Sequence, residues 1–144
     1  MSAEKLLSCG LRPVGTVQIL DGRFTISLST PEAADFERCL YAFLVGNEIM
    51  RIGSSKGKLR LRIRAWEADV SHGLAGDYSR TRQSEAEIWR TTLLEYGTGH
   101  LYARLGTVVT TPVGEFNLYQ IEERALIEKH KPRCCNDVTR IRNP

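Results

Sequence analysis

Apolar and polar residues alternate along the first part of the chain in a way that predicts paired β-strands. The segments VGTVQIL and RFTISLS, residues 14–20 and 23–29, alternate on either side of Asp21-Gly22, a dipeptide typical of tight hairpin turns. A second pair of apolar runs flanks Gly46-Asn47 within residues 41–55. We therefore expect two β-hairpins in the first half of the chain.

The spacing of apolar residues then changes to that of helices. One stripe predicts a helix that starts after Lys58 and ends near His72; its members are Leu59, Ile63, Trp66 and Val70. A second stripe predicts a helix at about residues 84–96, with core-facing residues Ala86, Trp89, Leu93 and Tyr96. Residues 100–109 predict a strand, and the last helix should run from about Glu115 to His130. This order predicts an α+β fold, a small mixed or antiparallel sheet flanked by helices.

The size and composition of the chain indicate one globular domain. Its 144 residues are 42% hydrophobic, enough for a sizeable core. No window resembles a membrane span, and the start MSAEKLLSCG lacks an apolar signal region. We therefore expect a soluble cytoplasmic protein with no membrane partner. The cysteines follow no metal-binding spacing and are expected to be reduced thiols; they are Cys9, Cys39, Cys134 and Cys135.

Positive charge is concentrated in two segments, although the net charge is only +3. No acidic residue lies between Glu48 and Glu67, an interval that contains Arg51, Lys56, Lys58, Arg60, Arg62 and Arg64. A second cluster near the C-terminus consists of Lys129, Lys131 and Arg133. A single cluster of this kind is commonly a solvated helix face. Two clusters in one small domain favour a polyanionic partner.

A carboxylate interrupts the apolar stripe of the last predicted helix. At about 100° per residue, Glu123 falls in the middle of the arc formed by Phe116, Tyr119, Leu126 and Ile127. A charged carboxylate buried there without a partner would cost several kcal/mol. Glu123 therefore needs a cation, a proton or a metal. Periodicity alone leaves a structural salt bridge and a metal site as alternatives.

An arginine lies at the border of the first helical stripe. Arg62 is four residues before Trp66 and therefore on the same side of the helix. It can reach inward, whereas Arg60 and Arg64 point elsewhere. The alternative for Arg62 is a side chain whose stem lies along the surface and whose charge stays in solvent.

A second arginine, Arg51, interrupts the strand after Gly46-Asn47. A two-residue turn would set it opposite Ala42, whereas a three-residue loop that includes Glu48 would set it opposite Phe43, on the side of Tyr41. We predict the second arrangement. The alternatives are that Tyr41 is an ordinary strand aromatic and that Arg51 is an edge charge that blocks aggregation.

In the order of these residues the chain resembles the GIY-YIG nuclease family. The triplets CLY and RIG, residues 39–41 and 51–53, stand where the family has its two motifs, and KLRLRI resembles the start of its arginine-bearing helix. ERALIEKHKPRCCN is similar to the nuclease domain of the bacterial excision-repair incision subunit, and this motif is the most specific. The chain departs from the family with Cys39 for the first glycine and Arg51 for the second tyrosine. Relative to the family's spacing, one extra residue lies between Gly53 and Arg62 and another between Pro132 and Asn136.

The resemblance, which covers about residues 40–136, implies an organisation for the single domain 1–144. Residues 36–144 would form the nuclease core, with the helix at about 84–96 as an insertion, and residues 1–35 would be an N-terminal β-hairpin extension. A Gly-Ser-Ser turn after Ile52 would lead into the basic helix. A stand-alone nuclease with such insertions is more similar to the restriction or mobile-element branches of the family than to its repair branch.

The resemblance also implies a divalent-metal-dependent DNA endonuclease. Tyr41 would be the general base, while Arg62 and Arg51 would stabilise the phosphate charge. A basic residue at position 51 favours the deprotonated form of Tyr41 or contacts a phosphate. Glu123 would hold one Mg²⁺ (or Mn²⁺), because such ions prefer oxygen ligands and keep several waters. Asn136 would support the active site.

Further residues have expected roles around this centre. The phosphates of double-stranded DNA, the expected partner, would be contacted by Lys56, Lys58, Arg60 and Arg64. His72 is either an accessory acid or base or a helix C-terminal residue. Two other classes stay open: a catalytically inactive nucleic-acid-binding domain with the same fold, and a structural or protein-binding domain. The target sequence and the oligomeric state also stay open.

Overall fold

The protein is described here by a computed structural model covering residues 1–76 and 83–134. Its elements, in chain order, are α1 (Ser2–Ser8), β1 (Arg12–Leu20), β2 (Arg23–Leu28), α2 (Pro31–Ala34), β3 (Cys39–Val45), β4 (Glu48–Ser55), α3 (Leu59–Leu74), α4 (Gln83–Tyr96), β5 (Gly99–Leu105), β6 (Val108–Thr111), β7 (Gly114–Asn117) and α5 (Tyr119–His130). Five strands form an antiparallel sheet in the order β2-β1-β5-β3-β4, and β6 pairs with β7. The predicted α+β fold is confirmed. Among these residues no helix is both long and apolar enough to cross a membrane.

Both predicted hairpins form, and β5 joins them into one sheet. Asp21 and Gly22 have φ angles of 51° and 77°, the left-handed backbone that a two-residue hairpin turn requires. β5 pairs with β1 on one side and with β3 on the other. The N-terminal hairpin is therefore part of the main sheet, and β3, which carries Tyr41, has a neighbouring strand on each side.

The sheet buries a separate apolar cluster on each face. On one face, Phe43 packs against Trp66 of α3 and Trp89 of α4, with ring centroids 4.9 and 5.5 Å away. The other face packs against α1 and α5 through a smaller cluster that includes Leu6 and Leu126. Every residue of β3 is buried, because this strand is covered on both faces. The α3 face and the α5 face are the two sides from which functional groups can reach the edge of the sheet.

A β-bulge in β4 decides which face Arg51 occupies. The turn itself has two residues, because Val45 pairs with Glu48. Phe43 nevertheless pairs with Arg51, so Met50 is an extra residue in β4 and both it and Arg51 lie on the α3 face. The predicted pairing of Arg51 with Phe43 is confirmed. The predicted three-residue loop is wrong, because the bulge supplies the extra residue instead.

The structure differs from the predicted elements at several other places. Most are short segments, in which too few apolar residues recur to reveal a helical or strand spacing. Residues 2–8 form a helix that was not predicted. Residues 108–117 form the β6–β7 hairpin, so Phe116 is on a strand and α5 begins only at Tyr119; the β-branched run VVTT favours a strand. The predicted Gly-Ser-Ser turn is wrong, because β4 continues through Ser55. Tyr96, predicted to face the core, is half exposed.

The cysteines of the described residues carry free thiols, as expected; they are Cys9, Cys39 and Cys134. Burial in the core raises the pKa of Cys39 to about 11. This thiol is therefore protonated at neutral pH and behaves as a small apolar core residue.

An ion pair between Glu122 and Arg104 fixes the start of α5 to β5. Arg104 Nη2 donates to Glu122 Oε2 at 2.7 Å, and Thr107 donates its backbone N–H and its hydroxyl at 2.8 and 2.7 Å. Burial alone would raise the pKa of Glu122, but the hydrogen bonds from Arg104 and Thr107 outweigh it and lower the pKa below its ordinary value. The salt bridge of this helix is thus made by Glu122, the neighbour of Glu123.

We expect Glu122→Gln to lower the free energy of unfolding by about 1–3 kcal/mol at pH 7, because it removes charge-assisted hydrogen bonds. Since the folded pKa is depressed, this stabilisation is complete above the unfolded pKa and is lost as the pH falls through the folded pKa. Urea denaturation from pH 7 into the acid range should show the two proteins converging. Glu128→Gln, at an exposed position of the same helix, is the control. A loss that persists in acid, or an equal loss in the control, would contradict this assignment.

Candidate active site

Tyr41 lies on β3 with its ring across Gly53 of β4. The two residues are paired, and a Cβ atom at Gly53 would fall 2.5 Å from both the Cζ and the hydroxyl oxygen of Tyr41. Only glycine leaves this space. The tyrosine is 1% exposed, so its ring is a core group and its hydroxyl is held at the strand next to it.

Arg62 meets this hydroxyl from helix α3. Its Nε donates a hydrogen bond to Tyr41 Oη at 3.2 Å. The side chain is half-buried, and no acidic side chain of the described residues forms an ion pair with it. Arg62 therefore points inward, and its guanidinium keeps donors for a further acceptor.

Glu123 reaches the edge of the sheet from helix α5. It is half-buried and accepts a hydrogen bond from Ser54 Oγ at 2.9 Å. Within the described part of the chain no lysine, arginine or histidine forms an ion pair with it. It lines an open pocket of about 370 Å³ together with Gln120, Ile121 and Arg124. Its one bonded neighbour is thus a neutral hydroxyl, and the carboxylate retains acceptor capacity.

The two groups approach consecutive residues of β4. The Tyr41 hydroxyl lies against Gly53, and Glu123 is bonded to Ser54, whose Cα is about 3.8 Å from that of Gly53. Successive strand residues face opposite sides of a sheet, so Tyr41 approaches on the α3 face and Glu123 on the α5 face. β4 is the last strand of the five-stranded sheet. The Tyr41–Arg62 pair and Glu123 therefore reach neighbouring positions of this edge strand from opposite faces of the sheet, and the pocket that Glu123 lines is formed by residues of α5.

Arg51 lies on the α3 face beside this edge and is held by two other elements. Its Nη1 donates to Glu85 Oε2 of α4 at 3.3 Å and to the carbonyl oxygen of Cys134 at 3.4 Å. The guanidinium carbon is 5.5 Å from the centre of the Trp66 ring, within cation–π range. Glu85 is fixed in turn by Trp89 Nε1, which donates to it at 3.4 Å. Helix α4 thus contributes to fixing the position of Arg51.

The four predicted phosphate-contacting residues surround the start of α3. Lys56 and Arg64 are exposed, and neither has an acidic partner within residues 1–76 and 83–134. Lys58 and Arg60 share one carboxylate, Asp35, at 3.8 and 3.5 Å. Exposed pairs of this kind contribute little and exchange readily with other anions. The start of α3 therefore presents available positive charge.

Two predicted residues are not brought into this arrangement. His72 is exposed in the last turn of α3, ten residues beyond Arg62 and hence about 15 Å along the helix axis. Asn136 lies outside the described residues, so its predicted role stays a prediction.

The donor set at Glu123 suits a magnesium-like ion. In the residues that the structure describes, no three His, Cys, Asp or Glu side chains are close enough to form a metal site. Zinc sites use three or four protein ligands, whereas Mg²⁺ is commonly held by one or two carboxylates plus waters and substrate phosphates. A half-buried carboxylate without a cation, facing an open pocket, fits the second pattern.

Sequence reasoning missed two residues of the site, Ser54 and Glu85. Ser54 was assigned to a turn, although strand alternation continued past Gly53 would have placed it on the α5 face. Glu85 is 34 residues from Arg51. Nothing in the sequence near either residue indicates that α4 packs against this position of β4. Its role follows only from tertiary packing.

The same fold occurs in two solved endonuclease structures. A glutamate-to-alanine mutant of bacteriophage T4 EndoII matches with a TM-score of 0.64 at 20% sequence identity, over 92% of this chain and 96% of that one. The restriction endonuclease HPY188I in complex with product DNA matches with a TM-score of 0.53 at 14% identity, over 94% and 86% of the two chains. No protein-family model and no curated protein sequence matches the chain. At these identities the likeness establishes a fold that endonucleases use.

We expect Gly53→Ala to lower the free energy of unfolding by about 1–3 kcal/mol, because the new methyl group collides with the Tyr41 ring. Gly57→Ala is the matched control, since no atom lies within 4 Å of its added Cβ, and it should change stability by less than about 0.5 kcal/mol. Urea denaturation measures both. In a Tyr41→Ala background the Gly53→Ala change should cost clearly less. A cost unchanged by removal of the ring would contradict the proposed contact.

Proposed function

We propose that the protein is a GIY-YIG-type DNA endonuclease, dependent on a divalent metal, that hydrolyses phosphodiester bonds. The observation that carries the proposal is that Glu123, which forms no ion pair among the described residues, and the Tyr41–Arg62 pair contact consecutive residues of one edge strand. The fold likeness supports it, because both neighbours are named as endonucleases and HPY188I was solved with product DNA. We infer a restriction or mobile-element role, because the helix at about residues 84–96 is extra relative to the family that the chain resembles.

In this proposal Arg62 binds the phosphate to be cleaved. Its free N–H donors contact non-bridging oxygens and stabilise the charge that grows in the pentavalent transition state. Arg51 assists by adding positive charge from the same face, with Glu85 setting its position. Because Arg62 Nε reaches the tyrosine oxygen at 3.2 Å, a phosphate bound by the same guanidinium would lie near that oxygen.

Tyr41, as phenolate, acts as the general base. A water oxygen bonds to phosphorus while its proton passes to Tyr41 Oη; one phosphorus–oxygen ester bond breaks, and the leaving oxygen takes a proton from solvent. Tyr41 is 1% exposed and Arg62 contacts its hydroxyl. The base role therefore requires that Arg62 turn toward the bound phosphate and uncover the hydroxyl.

Glu123 holds the metal, and Ser54 orients the carboxylate through its hydroxyl. Bound there, one Mg²⁺ (or Mn²⁺) supplies Lewis-acid stabilisation of charge on the phosphate and the leaving oxygen. The exposed side chains at the start of α3 position double-stranded DNA by its phosphates; they are Lys56, Lys58, Arg60 and Arg64. Asn136 is proposed to support the site, and no role is assigned to His72.

A non-catalytic DNA-binding domain is the second candidate. Two observations favour it: Tyr41 is almost completely buried, and the guanidinium of Arg51 is engaged by Glu85 and the Cys134 carbonyl. Such a domain would keep the basic surface of α3 and bind DNA without cleaving it. Cleavage assays separate the two candidates.

We expect the purified protein to nick plasmid DNA with Mg²⁺ and not with EDTA, and Glu123→Ala to slow nicking by at least about 100-fold through loss of the metal's charge stabilisation. Glu128→Ala, at an exposed position of the same helix, should nick like the wild type. Gel quantification of nicked and linear plasmid over time gives the rates. The enzyme proposal would be wrong if the wild type bound plasmid DNA without cleaving it, or if Glu123→Ala cleaved as fast as the wild type.

Tyr41→Phe keeps the ring over Gly53 and removes only the hydroxyl, so we expect nicking to fall by about 10²–10⁴-fold with DNA affinity unchanged. Tyr102→Phe is the matched control, because Tyr102 is also a buried tyrosine of the sheet but belongs to the cluster on the α5 face. Rates with Mg²⁺ and binding with EDTA are compared for both variants. Full activity of Tyr41→Phe would remove Tyr41 from its role while leaving that of Glu123 intact.

A further inference from the structure

A basic cleft lies at the end of α5 remote from Glu123. It has a volume of about 550 Å³ and is bounded by α1, the start of β4 and the residues that follow α5. The charged and titratable side chains that line it are Lys5, Glu48, His130, Lys131 and Arg133. None of them belongs to the site at Gly53 and Ser54, and Lys131 and Arg133 come from the C-terminal basic cluster of the sequence.

The charges in the cleft do not cancel. Glu48 is the acidic residue of its lining, and Arg133 Nη1 pairs with Glu48 Oε2 at 2.9 Å. Lys5 and Lys131 are exposed and have no acidic partner among the described residues. Since Arg133 balances Glu48, the two ammonium groups leave the lining of the cleft with an excess of positive charge, an arrangement that attracts an anion.

The surroundings of His130, which also lines the cleft, lower its pKa through burial and through nearby positive charge. Its Nε2 lies 3.8 Å from Cys9 Sγ. Burial, and then the charges of Lys129 and Lys5, lower the pKa of His130 below its ordinary value. The imidazole is therefore a neutral hydrogen-bonding group at neutral pH, beside lysines that repel further positive charge.

The walls of the cleft are fixed. The backbone N–H of Ser2 donates to Asn47 Oδ1 at 3.0 Å, and the Ser2 hydroxyl donates to the Asn47 carbonyl at 2.6 Å, which ties α1 to the β3–β4 turn. Lys131 ends α5 with φ of 46°, a left-handed conformation at which glycine or asparagine is preferred. Lys131 is exposed and lines the cleft from this position.

The distance from Glu123 to the cleft is short enough for one DNA strand to contact both. Seven residues separate Glu123 from His130, which is nearly two helical turns and about 10 Å along the same face of α5. One strand of B-form DNA rises about 3.4 Å per nucleotide along the duplex axis, so a duplex aligned with α5 would bring a phosphate about three nucleotides away to the cleft.

We propose that this cleft binds a backbone phosphate of the DNA substrate, about three nucleotides from the phosphate that is cleaved, through Lys5 and Lys131. The inference rests on the proposed function and deepens it. This contact would fix the path of the strand along α5, in addition to the contacts made by the start of α3.

The test is DNA binding by a double variant, Lys5→Gln with Lys131→Asn, measured by fluorescence anisotropy with a labelled duplex in EDTA at several KCl concentrations. Glutamine suits the helix position of Lys5, and asparagine tolerates the left-handed backbone at position 131. The control removes the same charge from exposed positions that do not line the cleft, by Arg12→Gln with Arg23→Gln. Circular dichroism and denaturation confirm that each protein is folded.

We expect the cleft variant to bind the duplex about ten-fold more weakly at 0.1 M KCl, with the slope of log K against log [KCl] reduced by about one. The control should stay within about two-fold of the wild type. Equal affinities of the cleft variant and the control would overturn the proposal, as would a wild type that binds no duplex.

A titration with inorganic phosphate, followed by the NMR signals of the His130 imidazole, tests whether a small anion is the ligand instead. Saturable shifts in the wild type, combined with an unchanged DNA affinity of the cleft variant, would overturn the DNA assignment in favour of free phosphate. Failure of the nuclease proposal is distinguishable from failure of this one: a protein that never nicks plasmid but loses affinity with the cleft variant retains the cleft contact.

Discussion

The contact between the Tyr41 ring and the bare backbone of Gly53 is the constraint on which the rest of the site depends. It requires the β3–β4 register that pairs these two residues, and a slip of one residue would turn every side chain of β4 to the opposite face. In the observed register the tyrosine hydroxyl is brought to Arg62, and Ser54 is left on the other face for Glu123. A local steric fit between two strands thus aligns groups that come from two helices.

Adjacent carboxylates on α5 have opposite surroundings. Glu122 is enclosed by Arg104 and Thr107, and its charge is balanced within the fold. Glu123, about 100° further around the helix, receives one hydroxyl and faces an open pocket. One acid therefore fixes the helix to the sheet, and the other has its charge unbalanced within the described residues. Separating the two tasks in this way lets the helix stay in place whether or not a ligand is bound.

The parts of the fold that were predictable from sequence are those with a repeated pattern. The strand alternation around Asp21-Gly22 and the apolar stripe from Leu59 to Val70 both correspond to observed elements, because burial of one face imposes a period on the sequence. The β6–β7 hairpin and helix α1 are too short to show a period. The face of Arg51 was predicted correctly, but a bulge and not a longer loop produces it.

The candidate site was predictable to a similar extent and for a related reason. Glu123 and Arg62 were noticed because each breaks or borders an apolar stripe, and the structure places both at the β4 edge. The bond from Arg51 to Glu85 was not predictable, since it joins strand β4 to helix α4 across 34 residues. Such contacts depend on how whole elements pack, which no single segment encodes.

The central place of β5 has a consequence for synthesis of the protein. This strand, Gly99–Leu105, separates the N-terminal hairpin from the hairpin that carries Tyr41. On the ribosome, which releases the chain from its N-terminus, neither hairpin can reach its final neighbour until residue 105 has emerged. Glu123 emerges later still. The polypeptide therefore cannot bring Glu123 to Ser54 at the sheet edge until nearly the whole chain has been synthesised.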